Sequence, residues 1–302
     1  MNDRKKAMLM ASFTADSLAL GVHWIYDTQQ IANTYGRVEK LMNPAPGSFH
    51  PTKNKGDFTH YADQTFVLLQ SLADCGAFDL ADFSAKWRAL FADYTGYADG
   101  ATRKTLAWYA KGKTAENAGS RTGDFSGAAR IAPILFLYAD DEEKALAAAR
   151  AQTAMTHNDP NTVDTAEFFT RVILQILRGT APAAAIETIV RTDAFAMSPI
   201  AMWVEEGLKS RGEDSVKTIS RFGQACETQQ VFPGVIHLIA SYEKDLKEAL
   251  VQCMMAGGDN AARGSMTGMV LGAWLGTDAI PPEWSEGLNK QKEIEKLLDK
   301  IS

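Results

Sequence analysis

Four glycines recur at intervals of four residues near the end of the chain, within an otherwise apolar helical segment. The row consists of Gly264, Gly268, Gly272 and Gly276. Inside a helix each glycine costs about 1 kcal/mol relative to alanine, so the row requires a compensating gain such as close approach to another backbone. A row of alanines with the same interval lies near the start of the chain: Ala7, Ala11, Ala15 and Ala19. The pattern predicts a central, buried C-terminal helix, with the alanine row as its candidate partner.

Helix start and stop signals recur along the rest of the chain. Asp140 and Glu143 have the spacing of a capping box before an alanine-rich segment. Asp159-Pro160 places an N-cap residue before a proline, and Gly179 is the expected C-cap of the helix that follows. Runs of β-branched residues in strict alternation are scarce. The sequence therefore predicts an all-α protein.

Composition limits the domain count and the partners. The 302 residues contain no Pro/Gly/Ser-rich linker and no low-complexity block, so one domain spanning residues 1–302 is the simplest prediction. The net charge of -6 is spread along the chain without a Lys/Arg stripe, which argues against nucleic acid as a partner. The three cysteines form no CxxC pair, and this usage is typical of a reducing compartment.

The N-terminus imitates a secretion signal, because Arg4-Lys5-Lys6 precedes a short apolar run. The run is soon interrupted, Asp16 follows, and no convincing cleavage site appears, so we expect a first core helix instead. No apolar stretch approaches the roughly 20 residues that span a bilayer. We expect a soluble cytoplasmic protein without a membrane partner.

Polar residues lie at three predicted helix starts, marked by Asp63, His157 and Asp259. Free N–H groups and the helix dipole suit such places to anions, while a carboxylate there can also hold a cation. The double glycine Gly257-Gly258 before Asp259 allows backbone to approach a ligand closely. An aspartate at a helix start is also the ordinary N-cap, and His157 can equally be a structural histidine. We predict that the three junctions form the functional cleft.

Five segments, taken in order, support that prediction through a family resemblance. They are Ala15-Asp16-Ser17-Leu18-Ala19, Ala62-Asp63-Gln64-Thr65, Gly127-Ala128-Ala129-Arg130-Ile131-Ala132-Pro133, Thr156-His157-Asn158-Asp159-Pro160 and Gly257-Gly258-Asp259-Asn260. This order resembles the landmarks of the ADP-ribosylglycohydrolase family, whose members include lens crystallins. The resemblance implies a single-domain, all-α orthogonal helical bundle.

The resemblance also implies a cleft for ADP-ribose and, in active members, two Mg²⁺ ions held by a Thr-Asp-Asp and an Asp-x-Asp-Thr segment. This chain keeps the first aspartate of each segment, Asp63 and Asp259. The other matching positions hold Ala62, Gln64, Ala261 and Ala262. Two carboxylates and an amide oxygen from Gln64 or Asn260 cannot neutralise two Mg²⁺ ions. We therefore expect Asp63 and Asp259 to hold one Mg²⁺ or none.

A further departure concerns the base that activates water. Active relatives carry a glutamate seven residues after the aspartate that Asp16 matches, and this chain has His23 there. A histidine can act as a base near neutral pH, so His23 or Asp63 is the expected catalytic base. We expect His157, with nearby helix-start N–H groups, to contact the pyrophosphate. The remaining residues expected to bind ligand are Asp16, Gln64, Gly257, Gly258 and Asn260.

Two functions remain open. The first is a hydrolase that cleaves the glycosidic bond at the anomeric carbon of an ADP-ribosyl conjugate. The second is a catalytically inactive relative that binds ADP-ribose or another nucleotide sugar, or serves as a structural protein. The missing carboxylates favour the second, and the retained landmarks favour the first.

Overall fold

Sixteen α-helices make up the regular structure of residues 2–302, which the computed structural model describes. In chain order, α1 to α16 are Asn2–Ala19, Thr28–Tyr35, His60–Cys75, Leu80–Ala92, Gly100–Ala110, Ala132–Leu137, Glu142–Ala154, Pro160–Leu177, Pro182–Val190, Ile200–Lys209, Ser215–Phe222, Thr228–Ser241, Leu246–Met255, Asn260–Leu275, Pro282–Ser285 and Gln291–Ile301. Three 3₁₀ helices are Phe125–Arg130, Asp193–Phe195 and Thr277–Ala279. Across these residues the β-structure is limited to two isolated bridges. The all-α prediction is confirmed.

Aspartate side chains begin many of these helices, because their oxygens accept hydrogen bonds from free N–H groups of the first turn. Asp159 caps α8 through the Thr162 N–H, with Pro160 in the first turn as expected. In α7 the cap is Asp141, which accepts from Lys144, so the helix begins one residue later than a cap at Asp140 would place it. Local chemistry thus accounts for the helix starts.

Helices α1 and α14 pack backbone against backbone. A methyl group added to Gly268 would lie 2.7 Å from the Ala11 carbonyl oxygen, and one added to Gly272 would lie 2.6 Å from that of Ala7. Both helices are buried along most of their length. The prediction of a central glycine-rich helix paired with the alanine row is confirmed. Gly264 contacts the alanine row more loosely, because a methyl added there would lie 3.6 Å from Ala15 Cβ, and Gly276 faces Asp3 instead.

The main hydrophobic core is continuous from α1 to α16 and includes α8, α12, α13 and α14. A second, smaller cluster lies around Trp87 and Phe83 of α4. The apolar N-terminal run belongs to the main core, as expected for a first core helix. Over residues 2–302, no helix combines the length and hydropathy that crossing a membrane would require.

The close contact predicts that Gly268→Ala destabilises the protein by about 1–3 kcal/mol, because the added methyl must push the two helices apart. This cost exceeds the helix-propensity gain of about 1 kcal/mol. Gly264→Ala is the matched control, since the nearest atom to its methyl is the end of the flexible Met254 side chain, at 2.9 Å, and the next atoms lie at an ordinary contact distance of 3.6 Å. Urea unfolding measures both, and equal stability of the two variants would contradict the packing.

Candidate functional site

The turn after α1 crosses the double glycine before α14, and the two segments exchange backbone hydrogen bonds. The Trp24 N–H donates to the Gly258 carbonyl at 3.0 Å, and the Gly258 N–H donates to the Ile25 carbonyl at 2.8 Å. Gly257 and Gly258 have φ angles of +63° and +62°, which disfavour any residue with a Cβ. The two glycines thus position the start of α14 against the N-terminal turn.

This crossing joins His23 to Asp259. His23 Nε2 lies 3.1 Å from Asp259 Oδ1, and both side chains are buried. His23 Nδ1 lies 2.8 Å from Nε2 of His50, which belongs to the loop between α2 and α3. The Tyr61 hydroxyl lies 3.4 Å from the other oxygen of Asp259. Both ring nitrogens of His23 are therefore engaged, which disfavours the predicted role of His23 as the base that takes a proton directly from water.

Burial sets the protonation states of the hydrogen-bonded chain formed by Asp259, His23 and His50. It raises the pKa of Asp259 to about 6 and lowers the pKa of His23 well below 6.5. Burial likewise lowers the pKa of His50 to about 2. At neutral pH Asp259 is then an anion and both rings are neutral, so His23 donates from Nε2 and His50 donates from Nε2 to His23 Nδ1. His50 Nδ1 has no partner among the described residues and is left as an acceptor.

Aromatic rings cover the hydrogen-bonded chain on the side of the loop between α2 and α3. Trp24 stacks on His23 with ring centroids 4.2 Å apart. It forms edge-to-face pairs with Phe49 and Tyr97, with ring centroids 5.1 Å and 5.0 Å apart. Phe49 is 52% exposed, so the cover faces solvent. Trp24 has a φ of +64°, a strained conformation for a residue with a side chain. Strain of this kind is common at functional sites.

Asp63 takes partners of its own. It accepts a hydrogen bond from the Tyr94 hydroxyl at 2.5 Å and pairs with the Lys53 ammonium group. It also borders a small cavity of about 150 Å³. Tyr61, which contacts Asp259, lies two residues earlier in α3, roughly 200° around the helix. Asp63 and Asp259 therefore pair with different protein groups, and the expectation of a single cleft stays a prediction.

Asp16 and Gln64 make structural contacts. Asp16 is fully buried and accepts from the N–H and hydroxyl of Thr59, at 2.7 Å and 2.6 Å. Gln64 Oε1 accepts from Trp87 Nε1 at 2.7 Å and from Arg130 Nη1 at 2.6 Å, while its amide nitrogen donates to a backbone carbonyl. These contacts differ from the expected ligand-binding role of both residues, because their polar atoms are already occupied.

The polar side-chain atoms of His157 have hydrogen-bond partners, whereas those of Asn260 have none. His157 Nδ1 lies 2.8 Å from the Thr156 hydroxyl, its Nε2 lies 3.4 Å from the Ser126 hydroxyl, and the ring is buried. That environment matches the structural alternative for His157. Asn260 is fully buried, and neither polar atom of its side chain has a partner. A buried amide without a partner is the arrangement expected where a ligand or water completes the hydrogen bonds.

The sequence alone did not identify several titratable groups near Asp259. Burial raises the pKa of the Asp124 carboxyl, and the charge of Asp259 adds to the rise. Tyr26 is half exposed, and burial together with Asp259 raises its pKa to about 12. His60 Nε2 lies 3.3 Å from Asp99 Oδ2 without the alignment of a hydrogen bond. Asp99 and Asp124 are the N-caps of α5 and of the 3₁₀ helix Phe125–Arg130, and nothing local in the sequence distinguishes them from ordinary caps.

The residues present do not fit the expected magnesium site. Among residues 2–302 no group of three or more His, Cys, Asp or Glu side chains could hold a metal ion. Asp63 already has a cation, the Lys53 ammonium group, and Asp259 is enclosed by His23 and Tyr61. Mg²⁺ needs about six oxygen ligands in nearly octahedral geometry. With these partners neither aspartate offers such a set, and the expectation that Asp63 and Asp259 hold one Mg²⁺ or none stays a prediction.

The sequence and the fold of this chain are similar to those of known proteins. A family profile described as ADP-ribosylglycohydrolase matches residues 1–302. Crystallin J1A of Tripedalia cystophora is 22% identical, over 99% of this chain and 96% of the relative. An uncharacterized protein of Archaeoglobus fulgidus is 22% identical, over 100% of this chain and 96% of the relative. A solved structure described as an ADP-ribosylglycohydrolase-related protein complex has a TM-score of 0.74 at 21% identity, covering 99% of this chain and 97% of that one, which shows a shared fold.

The buried carboxyl of Asp16 predicts a pH-dependent stability. Burial raises its pKa from 3.8 to about 6, so in that window the folded state binds a proton that the unfolded state does not. The free energy of unfolding should therefore rise, through this group, as the pH falls from about 7 to about 4. Over this range the wild type should gain about 2–3 kcal/mol relative to Asp16→Asn, which cannot titrate. Urea unfolding at several pH values checks this, and a constant difference would refute it.

Asp63 is paired with Lys53, and Asp259 with His23. These pairings predict that Mg²⁺ does not stabilise the fold. Millimolar MgCl₂ should leave Tm unchanged relative to NaCl of equal ionic strength, because only a ligand that binds the folded state raises Tm. A saturable rise in Tm with MgCl₂ alone would show that the aspartates rearrange around the ion.

Proposed function

The chain belongs to the ADP-ribosylglycohydrolase family, and from this premise we propose that it hydrolyses the glycosidic bond at the anomeric carbon of an ADP-ribosyl conjugate without a bound Mg²⁺ pair. One observation carries the proposal. An unbroken hydrogen-bonded chain runs from Asp259 through His23 to His50, and it ends at a ring nitrogen that has no partner. Such a chain can accept a proton at one end and hold it at the other.

His50 is the catalytic base in this proposal. Its Nδ1 takes a proton from the attacking water while its Nε2 proton passes to His23 Nδ1, and the His23 Nε2 proton passes to Asp259. The water oxygen bonds to the anomeric carbon, and the glycosidic bond breaks with its electron pair going to the leaving nitrogen or oxygen. The leaving group takes up a proton from solvent water, and Asp259 returns its proton to solvent through the same hydrogen-bonded chain. The pKa of Asp259, about 6, suits a final proton acceptor near neutral pH.

The substrate enters by displacing the aromatic cover. Phe49 and His50 are adjacent in a loop that contains no helix between α2 and α3, so movement of Phe49 opens the way to His50. Rings at the cover suit the sugar and base of a nucleotide. Asn260, whose buried amide has no partner, is the proposed contact for a ligand hydroxyl.

A second candidate function is binding without catalysis. Asp16, Asp63 and Asp259 are each already paired with protein groups, as expected where no metal is needed. A relative named Crystallin J1A also matches nearly the whole chain. In this case the protein binds an ADP-ribose-type ligand without hydrolysing it, or it serves a structural role.

Release of ADP-ribose from arginine and serine conjugates tests the first candidate. We expect turnover that persists in EDTA and rises with pH through about 6, since Asp259 must be ionised to accept the proton. His50→Gly and Asp259→Asn should each lower kcat by about 100-fold or more. Imidazole should partly restore His50→Gly, a rescue that a structural role would not give.

Asp278→Asn is the matched control for Asp259→Asn, because Asp278 is exposed and forms no ion pair within residues 2–302. Calorimetry with ADP-ribose completes the test. Binding without turnover would establish the second candidate, and turnover that requires Mg²⁺ would refute the proposed mechanism.

A further inference from the structure

His50 is the first residue of a four-residue turn in the loop between α2 and α3. The turn ends at Lys53, whose N–H donates a hydrogen bond to the His50 carbonyl at 3.1 Å. Pro51 occupies the second position of the turn, where its fixed φ angle is favoured. The position of the His50 ring therefore depends on what holds this turn against the rest of the fold.

Two other side chains of the turn bond to other parts of the fold. The Thr52 hydroxyl donates to the Thr95 carbonyl, in the segment after α4, at 3.0 Å. The Lys53 ammonium group pairs with the Asp63 carboxylate of α3. Side-chain exposure is 14% for Lys53 and 10% for Asp63, so salt screens this pair less than it screens a surface pair. The ion pair therefore holds the turn against α3.

Tyr94 contacts both members of the ion pair. Its hydroxyl donates to Asp63 Oδ2, the same oxygen that pairs with Lys53. Lys53 Nζ lies 5.4 Å from the centre of the Tyr94 ring, within the range at which a cation is attracted to an aromatic face. Burial and the Asp63 charge raise the pKa of Tyr94, so its phenol stays protonated and donates. Two groups thus position the ammonium group.

The ammonium group supplies beside Asp63 the positive charge that a metal ion would otherwise supply. Mg²⁺ needs about six oxygen ligands, whereas an ammonium group needs far fewer acceptors and is attached to the chain by its own stem. Lys290, the other lysine at the adjoining cavity, is engaged elsewhere, because it lies 3.8 Å from Glu293 and 4.5 Å from the centre of the Phe66 ring. Lys53 is therefore the cation paired with Asp63.

We propose that Lys53 is a positioning residue whose ammonium group takes the place of a metal ion at Asp63 and holds the turn of His50 in position. His23 is positioned separately, by the backbone crossing before α14. The 2.8 Å hydrogen bond between His50 and His23 then depends on the ion pair, which fixes one ring relative to the other. Only the effect on turnover rests on the proposed function, since this hydrogen bond can be measured whether or not the protein is a hydrolase.

Nitrogen-15 NMR of the full chain measures this hydrogen bond through the scalar coupling between His50 Nε2 and His23 Nδ1. The wild type should show the coupling near neutral pH. Lys53→Met keeps the apolar stem without the charge and should lose the coupling. Lys53→Arg keeps the charge and should retain the coupling, because the adjoining cavity of about 150 Å³ has room for the longer side chain.

Lys55→Met is the matched control, since Lys55 is exposed in the same loop and forms no ion pair within residues 2–302. It should retain the coupling. Lys53→Met also leaves Asp63 without its cation, which lowers stability for that reason alone. The double variant Lys53→Met/Asp63→Asn removes both charges, so it should recover stability in urea unfolding and still lack the coupling. Coupling that persists in the folded double variant, or that is lost in Lys53→Arg, would overturn the proposal.

Turnover of ADP-ribosyl conjugates separates positioning from substrate binding. In an active wild type, Lys53→Met should lower kcat about 10- to 100-fold and leave KM nearly unchanged, because the base is displaced while the substrate contacts remain. A raised KM with the coupling intact would show that Lys53 contacts the substrate instead, which would overturn the positioning role. An inactive wild type would refute the proposed function, whereas the NMR result would still decide the role of Lys53.

Discussion

The backbone contact between α1 and α14 is the constraint on which the rest of the site depends. Gly268 and Gly272 let α14 approach the carbonyl groups of α1 more closely than any other residue would allow. The ends of the two helices are thereby brought together, and the turn after α1 meets the double glycine before α14. His23 reaches Asp259 because of this crossing. Two residues 236 positions apart become one hydrogen-bonded pair.

Where relatives are expected to neutralise carboxylates with metal ions, this chain uses its own side chains. Lys53 pairs with Asp63, and His23 contacts Asp259. At the position of a lost carboxylate, Gln64 accepts hydrogen bonds from the buried Arg130 and from Trp87. A buried arginine needs acceptors, and a neutral amide can supply them without bringing a second charge to neutralise. The substitutions thus form a consistent set in which Asp63, Asp259 and Gln64 are each paired with protein groups.

Local patterns predicted the helices, the central position of α14 and the cap at Asp259, because these follow from spacing and turn chemistry. The ordered landmarks gave the family and hence the fold. The roles of His50 and Lys53 were not predictable, since both lie in the loop between α2 and α3 and act through contacts with residues elsewhere in the chain. The order of the landmarks also could not show that Asp63 pairs with Lys53 while Asp259 contacts His23.

The central claim is that His50 carries the free acceptor of a neutral, directional histidine pair anchored by ionised Asp259. Nitrogen-15 NMR of the histidine rings near neutral pH tests it most directly, with resonances assigned from His23→Gln and His50→Gln variants. The account predicts that both rings are protonated at Nε2 and that His50 Nδ1 has the chemical shift of a bare nitrogen. A doubly protonated ring at either position, or a proton on His50 Nδ1, would contradict it.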